Sequence, residues 1–218
     1  MASRLAVPNG RLLLFTPIAA PWIRSPVTAM IPSLESAAYF QHDDEDTRLV
    51  RIAKKTADVT RESVGALILA TRRSDTHALA KRLASLVGPE RIIDGALAPL
   101  SSLKQSFVAK AQLGFKPIWI AQGPAWTGLD LPDEFLDTLV LTRLPYPRPT
   151  IVSDGKKGAY GAEKIAQMAM TFKQGIGRLV RVRNARPKKL WVLDGRIALL
   201  DNARGAMQLL KSYNHEVF

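Results

Sequence analysis

One glutamine and two arginines are spaced so that a helix would bring them to the same face. Gln174, Arg178 and Arg181 are separated by four and then three residues, and side chains at these spacings lie together on a helix surface. Arginine stays charged, and its planar guanidinium can donate two parallel hydrogen bonds to phosphate oxygens. The set therefore predicts a phosphate clamp. The alternative is the basic end of an amphipathic helix, which favours the C-terminal dipole and binds no ligand.

The clamp residues fall near the end of a predicted helix at 162–181. Its apolar positions recur at helical spacing and would face a core; they are Ile165, Ala169, Phe172, Ile176, Leu179 and Val180. Gly175 and Gly177 would each destabilise this helix by about 1 kcal/mol relative to alanine. We expect the close approach of a ligand or of another backbone to explain both glycines.

Composition limits the kind of protein. With 218 residues the chain has enough material for one sizeable core or at most two small domains, and we expect one domain. No apolar run is long enough to span a bilayer, and we expect no membrane partner. The net charge of +12 predicts a polyanionic partner such as nucleic acid. The absence of cysteine excludes disulfide, thiolate-zinc and iron–sulfur sites within these residues and fits a cytoplasmic protein.

Short apolar runs alternate with helical patterns along most of the chain. Predicted strands lie at 66–70, 91–93, 117–121, 138–142 and 190–193, and predicted helices at 46–60, 76–87 with Ser74 as N-cap, and 100–113. This alternation predicts an α/β fold with a mostly parallel sheet covered by helices on both faces. Ligands of such folds bind at the carboxyl ends of the strands. We therefore expect the chemistry in the loops after Thr71, Ala121 and Thr142.

The first sixty residues are less informative. Prolines interrupt any helix there, which leaves a predicted buried strand at 12–16 and an edge strand at 26–31. His42 and the acids at 43–46 precede a predicted helix, and we interpret them as its start because acidic side chains favour the N-terminal dipole. Metal ligation is the alternative. His42, His77 and His215 are too dispersed in the sequence to indicate a catalytic triad, which disfavours a metabolic α/β enzyme.

Two short stretches partly resemble a nucleotide-binding loop. Gly123 and Gly128 have the spacing of a P-loop, but Leu129 and Asp130 stand where that loop requires lysine and then serine or threonine. The Gly-Lys pair at 155–156 has no matching strand before it and lacks the full spacing. The chain thus lacks a Walker A motif, and we expect it not to hydrolyse a nucleotide unaided.

Several short motifs follow one another between about residues 65 and 197. They are Ala-Thr-Arg at 70–72, the set Gly123, Trp126, Gly128, Asp130 and Pro132, Leu-Pro-Tyr-Pro at 144–147, the clamp segment at 174–181, and a final pair, Asp194 and Arg196. In this order and spacing they resemble motifs IV, V and VI of the second RecA-like motor domain of superfamily 2 helicases, specifically the DinG/XPD family. The resemblance implies a three-layer RecA-like domain.

The chain departs from that family in two places. Thr127 stands where the family usually has glutamate, and the segment at 149–160 is shorter than in many DinG-like enzymes. Motifs I, Ia, II and III are absent. These features indicate a divergent member represented by its C-terminal half, and the subfamily that we predict is a CRISPR-associated DinG of the type IV systems, with a CRISPR ribonucleoprotein as a partner.

The resemblance implies the second motor domain of an ATP-dependent 5′ to 3′ DNA helicase. ATP and Mg²⁺ would be bound mainly by the first RecA-like domain of the same protein, so the isolated chain is expected to be inactive. Gln174, Arg178 and Arg181 match motif VI, whose arginines reach the γ-phosphate. Arginines supplied in this way accelerate phosphoryl transfer by roughly 10³ to 10⁵. Gly128 and Asp130 match motif V, and together with Gly177 they are predicted to border the nucleotide.

Candidate contacts to single-stranded or forked DNA are less specific. Arg72, Arg73 and Arg143 lie in or near loops that follow predicted strands, and Trp126 is a candidate for stacking on a base. The alternative for Trp126 is that it wedges its loop into the core. The seven cations at 173–189 are interpreted mainly as a solvated face.

The predicted organisation is a single RecA-like domain at 1–218. Residues 1–62 are its least defined part, 63–200 carry motifs IV to VI, and 201–218 form a C-terminal helix. The alternative function is a noncatalytic nucleic-acid-binding module that retains the RecA-like fold. The complete set of Gln174, Arg178 and Arg181 argues against this alternative, because a pure binding module does not need it.

Overall fold

The described residues form a seven-stranded sheet around which their helices are arranged. The computed structural model describes residues 27–147, 162–179 and 186–218. The strands are β1 Val27–Ile31, β2 Ala66–Leu69, β3 Ile92–Asp94, β4 Ile118–Ala121, β5 Thr138–Leu141, β6 Lys188–Val192 and β7 Asn214–Val217. Their order across the sheet is β3-β4-β2-β5-β6-β1-β7, and every pairing between them is parallel. The predicted α/β class is confirmed, with a sheet that is parallel throughout its described strands.

Helices cover both faces of this sheet. They are α1 Leu34–Phe40, α2 Glu45–Val59, α3 Arg73–Val87, α4 Leu100–Gln112, α5 Ala125–Gly128, α6 Ala162–Ile176, α7 Arg196–Leu199 and α8 Arg204–Lys211. Each face of the sheet packs against its own hydrophobic cluster, and alternate residues of β2 point to opposite faces. Leu67 packs in the cluster that contains side chains of α4, α6 and α8. Ile68 packs in the cluster that contains side chains of α2 and α3. Burial on both faces explains why the strand sequences are continuously apolar.

The predicted helix starts are partly correct. Helix α2 begins at Glu45, and the Asp44 carboxylate caps it by accepting a hydrogen bond from the Thr47 amide at 2.8 Å. This confirms the acidic stretch as a helix start. The cap predicted for α3 is wrong, because α3 begins at Arg73, one residue before Ser74. The residue at the cap position is Arg72, whose side chain makes no capping hydrogen bond.

Two predictions about the sheet edges are wrong. The strand predicted at an edge near 26–31 is β1, which lies between β6 and β7. The segment predicted as a C-terminal helix contains α8 but ends in β7, whose four residues are all exposed. Such a strand has no apolar alternation to reveal it, because it owes its conformation to pairing with β1. The strand predicted at 12–16 lies outside the described residues. Within the described part of the chain, no helix is long and apolar enough to cross a membrane.

Candidate functional site

The loop after β4 carries the residues that resemble motif V. It turns at Gly123, whose φ of +56° suits glycine, and continues into the one-turn helix α5. Leu129 is buried, whereas Gly128 and Asp130 are exposed. The loop therefore presents its glycine and its carboxylate at the surface while an apolar side chain anchors it to the core.

Trp126 holds this loop against two other segments. Its indole Nε1 donates a hydrogen bond of 2.8 Å to the carbonyl of Ala70, just after β2. On α6, a Cβ added to Gly175 would lie 2.6 Å from the indole ring, which explains the glycine at that position by the close approach of a side chain. Only 3% of Trp126 is exposed, so the predicted stacking of Trp126 on a base does not fit the structure. The alternative interpretation, a core wedge, does.

The described part of the clamp segment, at 174–179, lies at the end of α6 and reaches the same loop. Helix α6 ends at Ile176 and the chain turns through 177–179, so the predicted helix is shorter than expected. The Arg178 guanidinium donates from Nη1 to the carbonyl of Leu129 at 2.7 Å and from Nε to that of Gln174 at 3.1 Å. Gln174 is exposed, and Gly177 is partly buried. The turn at 177–179, called the clamp turn below, is therefore in direct contact with the motif V loop.

Partial burial of the Arg178 side chain affects its pKa and its capacity to bind an anion. Desolvation lowers the pKa of its guanidinium from the usual value, because removal from water disfavours the charged form. Two of its five donor N–H groups are used by the two carbonyls, and the residue remains partly exposed. A partly desolvated guanidinium that backbone carbonyls hold in place is suited to binding a phosphate oxygen. Arg181, the second predicted arginine, lies outside the described residues.

The two arginines after β2 differ in their surroundings. Arg72 and Arg73 are both exposed at the start of α3. Arg73 donates from Nη2 to the carbonyl of Ala96 at 2.8 Å, in the loop after β3. The Arg72 backbone carbonyl accepts from Thr76, so its backbone rather than its side chain supports the helix. Both cations lie at the carboxyl edge of the sheet, where the sequence places them.

Arg143 is held by an ion-pair cluster that sequence reasoning missed. Its guanidinium contacts both carboxylate oxygens of Glu45, at 2.7 and 2.9 Å, and Arg48 pairs with Glu45 and with the buried Asp75. Burial alone would raise the pKa of the Glu45 carboxyl, but the hydrogen bonds from Arg48 and Arg143 outweigh it, so this pKa is lowered. The predicted DNA contact by Arg143 is not supported by this geometry, because its side chain is mostly buried and pairs with the carboxylates of Glu45 and Asp75. The four residues of this cluster come from three separate segments of the chain, so no sequence pattern indicated it.

A metal centre is not apparent in this site. Among the residues that the structure describes, no group of three or more histidine, aspartate or glutamate side chains is placed to hold a metal ion. The site's described residues offer exposed or partly exposed arginines and exposed backbone.

The site's segments match a known family. Residues 59–213 match the family model of the helicase C-terminal domain. The chain belongs to this family. No curated protein matches the chain. Because the match extends from the end of α2 to the residue before β7, the helicase C-terminal domain includes every motif discussed above.

A solved helicase shares the fold of this helicase C-terminal domain at low sequence identity. The helicase Lhr of Mycobacterium smegmatis, solved with ssDNA and AMP-PNP, matches with a TM-score of 0.51 and 14% identity over 85% of this chain and 21% of the Lhr chain. T4 UvsW matches with a TM-score of 0.48 and 13% identity over 88% of this chain and 40% of its own. At this identity the Lhr match shows the RecA-like fold alone. The chain spans about a fifth of Lhr.

Proposed function

We propose that this chain is the second motor domain of an ATP-dependent DNA helicase of the DinG/XPD type, moving 5′ to 3′ along single-stranded DNA. The first RecA-like domain of the same protein would bind ATP and Mg²⁺. The observation that carries the proposal is the hydrogen bond from the Arg178 guanidinium to the Leu129 carbonyl. It joins the arginine-bearing turn to the loop that presents Gly128 and Asp130.

The proposed role of Arg178 is to stabilise charge on the phosphoryl group that is transferred. Bound ATP and Mg²⁺ would supply the reacting phosphate and neutralise part of its charge. Arg178, in the turn that follows α6, would hold oxygens of that phosphate from the second domain, together with Gln174 and Arg181 of the same sequence motif. A guanidinium held in advance needs little reorganisation when charge develops, and this is the usual source of such catalysis.

The proposed DNA track runs over the carboxyl edge of the sheet. Arg72 and Arg73 are exposed there, at the start of α3, and cations at this position would contact phosphates without reading sequence. We propose single-stranded or forked DNA as the substrate. The subfamily that we propose, a CRISPR-associated DinG of the type IV systems, rests on the sequence departures at Thr127 and 149–160, and binding of the full-length protein to the CRISPR ribonucleoprotein would test it.

The decisive experiment compares ATP hydrolysis by the full-length protein with hydrolysis by its Arg178→Ala variant. Loss of an arginine that acts on the γ-phosphate should lower kcat by roughly 10³ to 10⁵. Arg204→Ala serves as the control, since Arg204 is an exposed cation on α8 that pairs with Asp201. Unchanged hydrolysis in the Arg178 variant would reject the motor function and favour a noncatalytic nucleic-acid-binding module. Duplexes with a 5′ or a 3′ single-stranded tail would test the direction of movement.

A further inference from the structure

A lysine that sequence reasoning assigned to a solvated face is buried. The side chain of Lys188, the first residue of β6, is only 1% exposed. Its Nζ donates a hydrogen bond of 2.9 Å to the carbonyl of Leu179 and forms an ion pair with Asp133. The prediction that the cations at 173–189 lie on a solvated face is therefore wrong at this position.

Stability alone gives little reason to bury a lysine here. Taking an ammonium and a carboxylate out of water is expensive, and apolar residues of similar volume are often as stabilising as a buried ion pair. The remaining inward residues of β6, Leu190 and Val192, are apolar and fully buried. A third apolar residue would suit the strand equally well. Stability thus does not explain why a lysine stands at position 188, and the explanation must come from the contacts that its side chain makes.

Those contacts converge on the turn that carries Arg178. Leu179, whose carbonyl accepts from Lys188, is the next residue after Arg178. Asp133 begins the short 3-10 turn Asp133–Phe135, four residues after Leu129, whose carbonyl accepts from Arg178. The Lys188 ammonium therefore bridges the clamp turn and the segment that follows the motif V loop. Arg178 makes the second connection between the same two segments.

We propose that Lys188 is a positioning residue for Arg178. Its ammonium, which has three donor N–H groups, fixes the turn at 177–179 against the segment at 129–133, so that the Arg178 guanidinium is presented in one place. This inference rests on the proposed function of Arg178. A displacement of about 1 Å in a catalytic group can lower a rate by about a hundredfold, so loss of this bridge should affect turnover without any change to Arg178 itself.

The test uses the full-length helicase and removes the bridge without leaving a buried charge. The double variant Lys188→Met with Asp133→Leu replaces the ion pair by apolar side chains, which is expected to preserve the fold. We expect kcat for ATP hydrolysis to fall by about a hundredfold with KM for ATP close to that of the wild type, because the contact that is weakened acts in the transition state. Thermal unfolding and circular dichroism report whether the fold is kept.

A matched control separates positioning from stability. Leu83→Ala leaves the bridge intact, because Leu83 is a fully buried residue of α3 in the core cluster on the other face of the sheet. This variant should be less stable than the wild type, by about 2–5 kcal/mol, and should keep a kcat near that of the wild type. If Leu83→Ala lowered kcat as much as the double variant, the effect would follow from lost stability and the inference would be overturned. Should the double variant fail to fold, Lys188→Met with Asp133→Asn takes its place with the same outcomes.

Combination with Arg178→Ala decides whether Lys188 acts through that arginine. If it does, adding Lys188→Met and Asp133→Leu to Arg178→Ala lowers kcat no further, since effects of residues that act as one unit do not add. Independent, multiplicative losses would overturn the inference. A normal kcat in the folded double variant, with a low kcat in Arg178→Ala, would overturn the inference and leave the proposed function intact. A normal kcat in Arg178→Ala would overturn both the inference about Lys188 and the proposed function.

Discussion

The indole ring of Trp126 lies directly against the backbone of Gly175. A Cβ on residue 175 would be 2.6 Å from one ring carbon and 2.8 Å from another, closer than side chains tolerate. The same indole donates to the Ala70 carbonyl. One buried side chain thus connects the end of β2, helix α5 and helix α6, which are the segments that carry the three predicted helicase motifs.

Gly175→Ala should destabilise the chain because the new methyl group would meet the rigid indole. Overpacking of this kind costs about 1–3 kcal/mol. Gly205→Ala is the matched control: Gly205 also lies in a helix, α8, but a Cβ there meets nothing within 4 Å. That variant should be unchanged or more stable by up to about 1 kcal/mol. Urea unfolding of both variants measures the difference, and equal effects would contradict the close contact.

Trp126→Phe should lower the free energy of unfolding more than Trp119→Phe does. Both residues are buried, so both variants lose similar packing. In Trp126→Phe the Ala70 carbonyl also loses its indole donor, which adds about 1–3 kcal/mol. The Nε1 of Trp119 has no hydrogen-bond partner among the described residues, and its removal leaves no acceptor unpaired. Equal free energies of unfolding for the two variants would show that the Trp126 hydrogen bond contributes nothing.

The sequence predicted the core strands well because burial on both faces makes them continuously apolar. Strand β2 and helix α4 fall within one residue of their predicted bounds. Strand β7 was missed because Asn214, His215 and Glu216 are polar and depend on β1 for their conformation. A local pattern contains no information about a partner strand whose paired residues lie 186 positions earlier in the sequence.

The candidate site was predictable where a motif is contiguous, and not where it depends on distant charges. Helical spacing selected Gln174 and Arg178, but α6 ends at Ile176, so Arg178 lies in the following turn and not on the predicted helix face. Gly175 was expected to mark a close approach, although that approach is by a side chain. The roles of Lys188 and Arg143 could not be predicted. Whether a cation is solvated or buried depends on which carboxylate the fold brings to it, here Asp133 and Glu45.

Acid should selectively weaken the cluster around Glu45. The Glu45 pKa is lowered in the folded chain from its ordinary value of 4.5, so its carboxylate stabilises the fold above pH 4.5 and this contribution is lost as the pH falls through the folded pKa. Glu45→Gln should therefore reduce stability near neutral pH by about 1 kcal/mol, a figure that allows for solvent screening of a partly exposed carboxylate. The difference from the wild type should shrink below pH 4.5.

Thermal unfolding at a series of pH values measures this dependence. Asp201→Asn is the control, because the ion pair of Asp201 with Arg204 is highly exposed and such pairs contribute little. It should show a smaller stability difference than Glu45→Gln at neutral pH. A Glu45→Gln deficit that persisted undiminished into acid would mean that the ion pairs with Arg48 and Arg143 are not its source.

Arg72→Ala should weaken the binding of single-stranded DNA and make that binding less sensitive to salt. The Arg72 side chain is exposed and makes no capping contact, so its loss should leave the fold unchanged. Each phosphate contact that is removed should reduce the slope of log affinity against log salt by about 0.7 for a single strand. Arg61→Ala is matched in charge and is also exposed, but Arg61 precedes β2 and lies towards the opposite edge of the sheet. Binding titrations at several salt concentrations should show the change in slope for Arg72 alone, and the same change in both variants would indicate nonspecific attraction by net charge rather than a DNA track at the carboxyl edge.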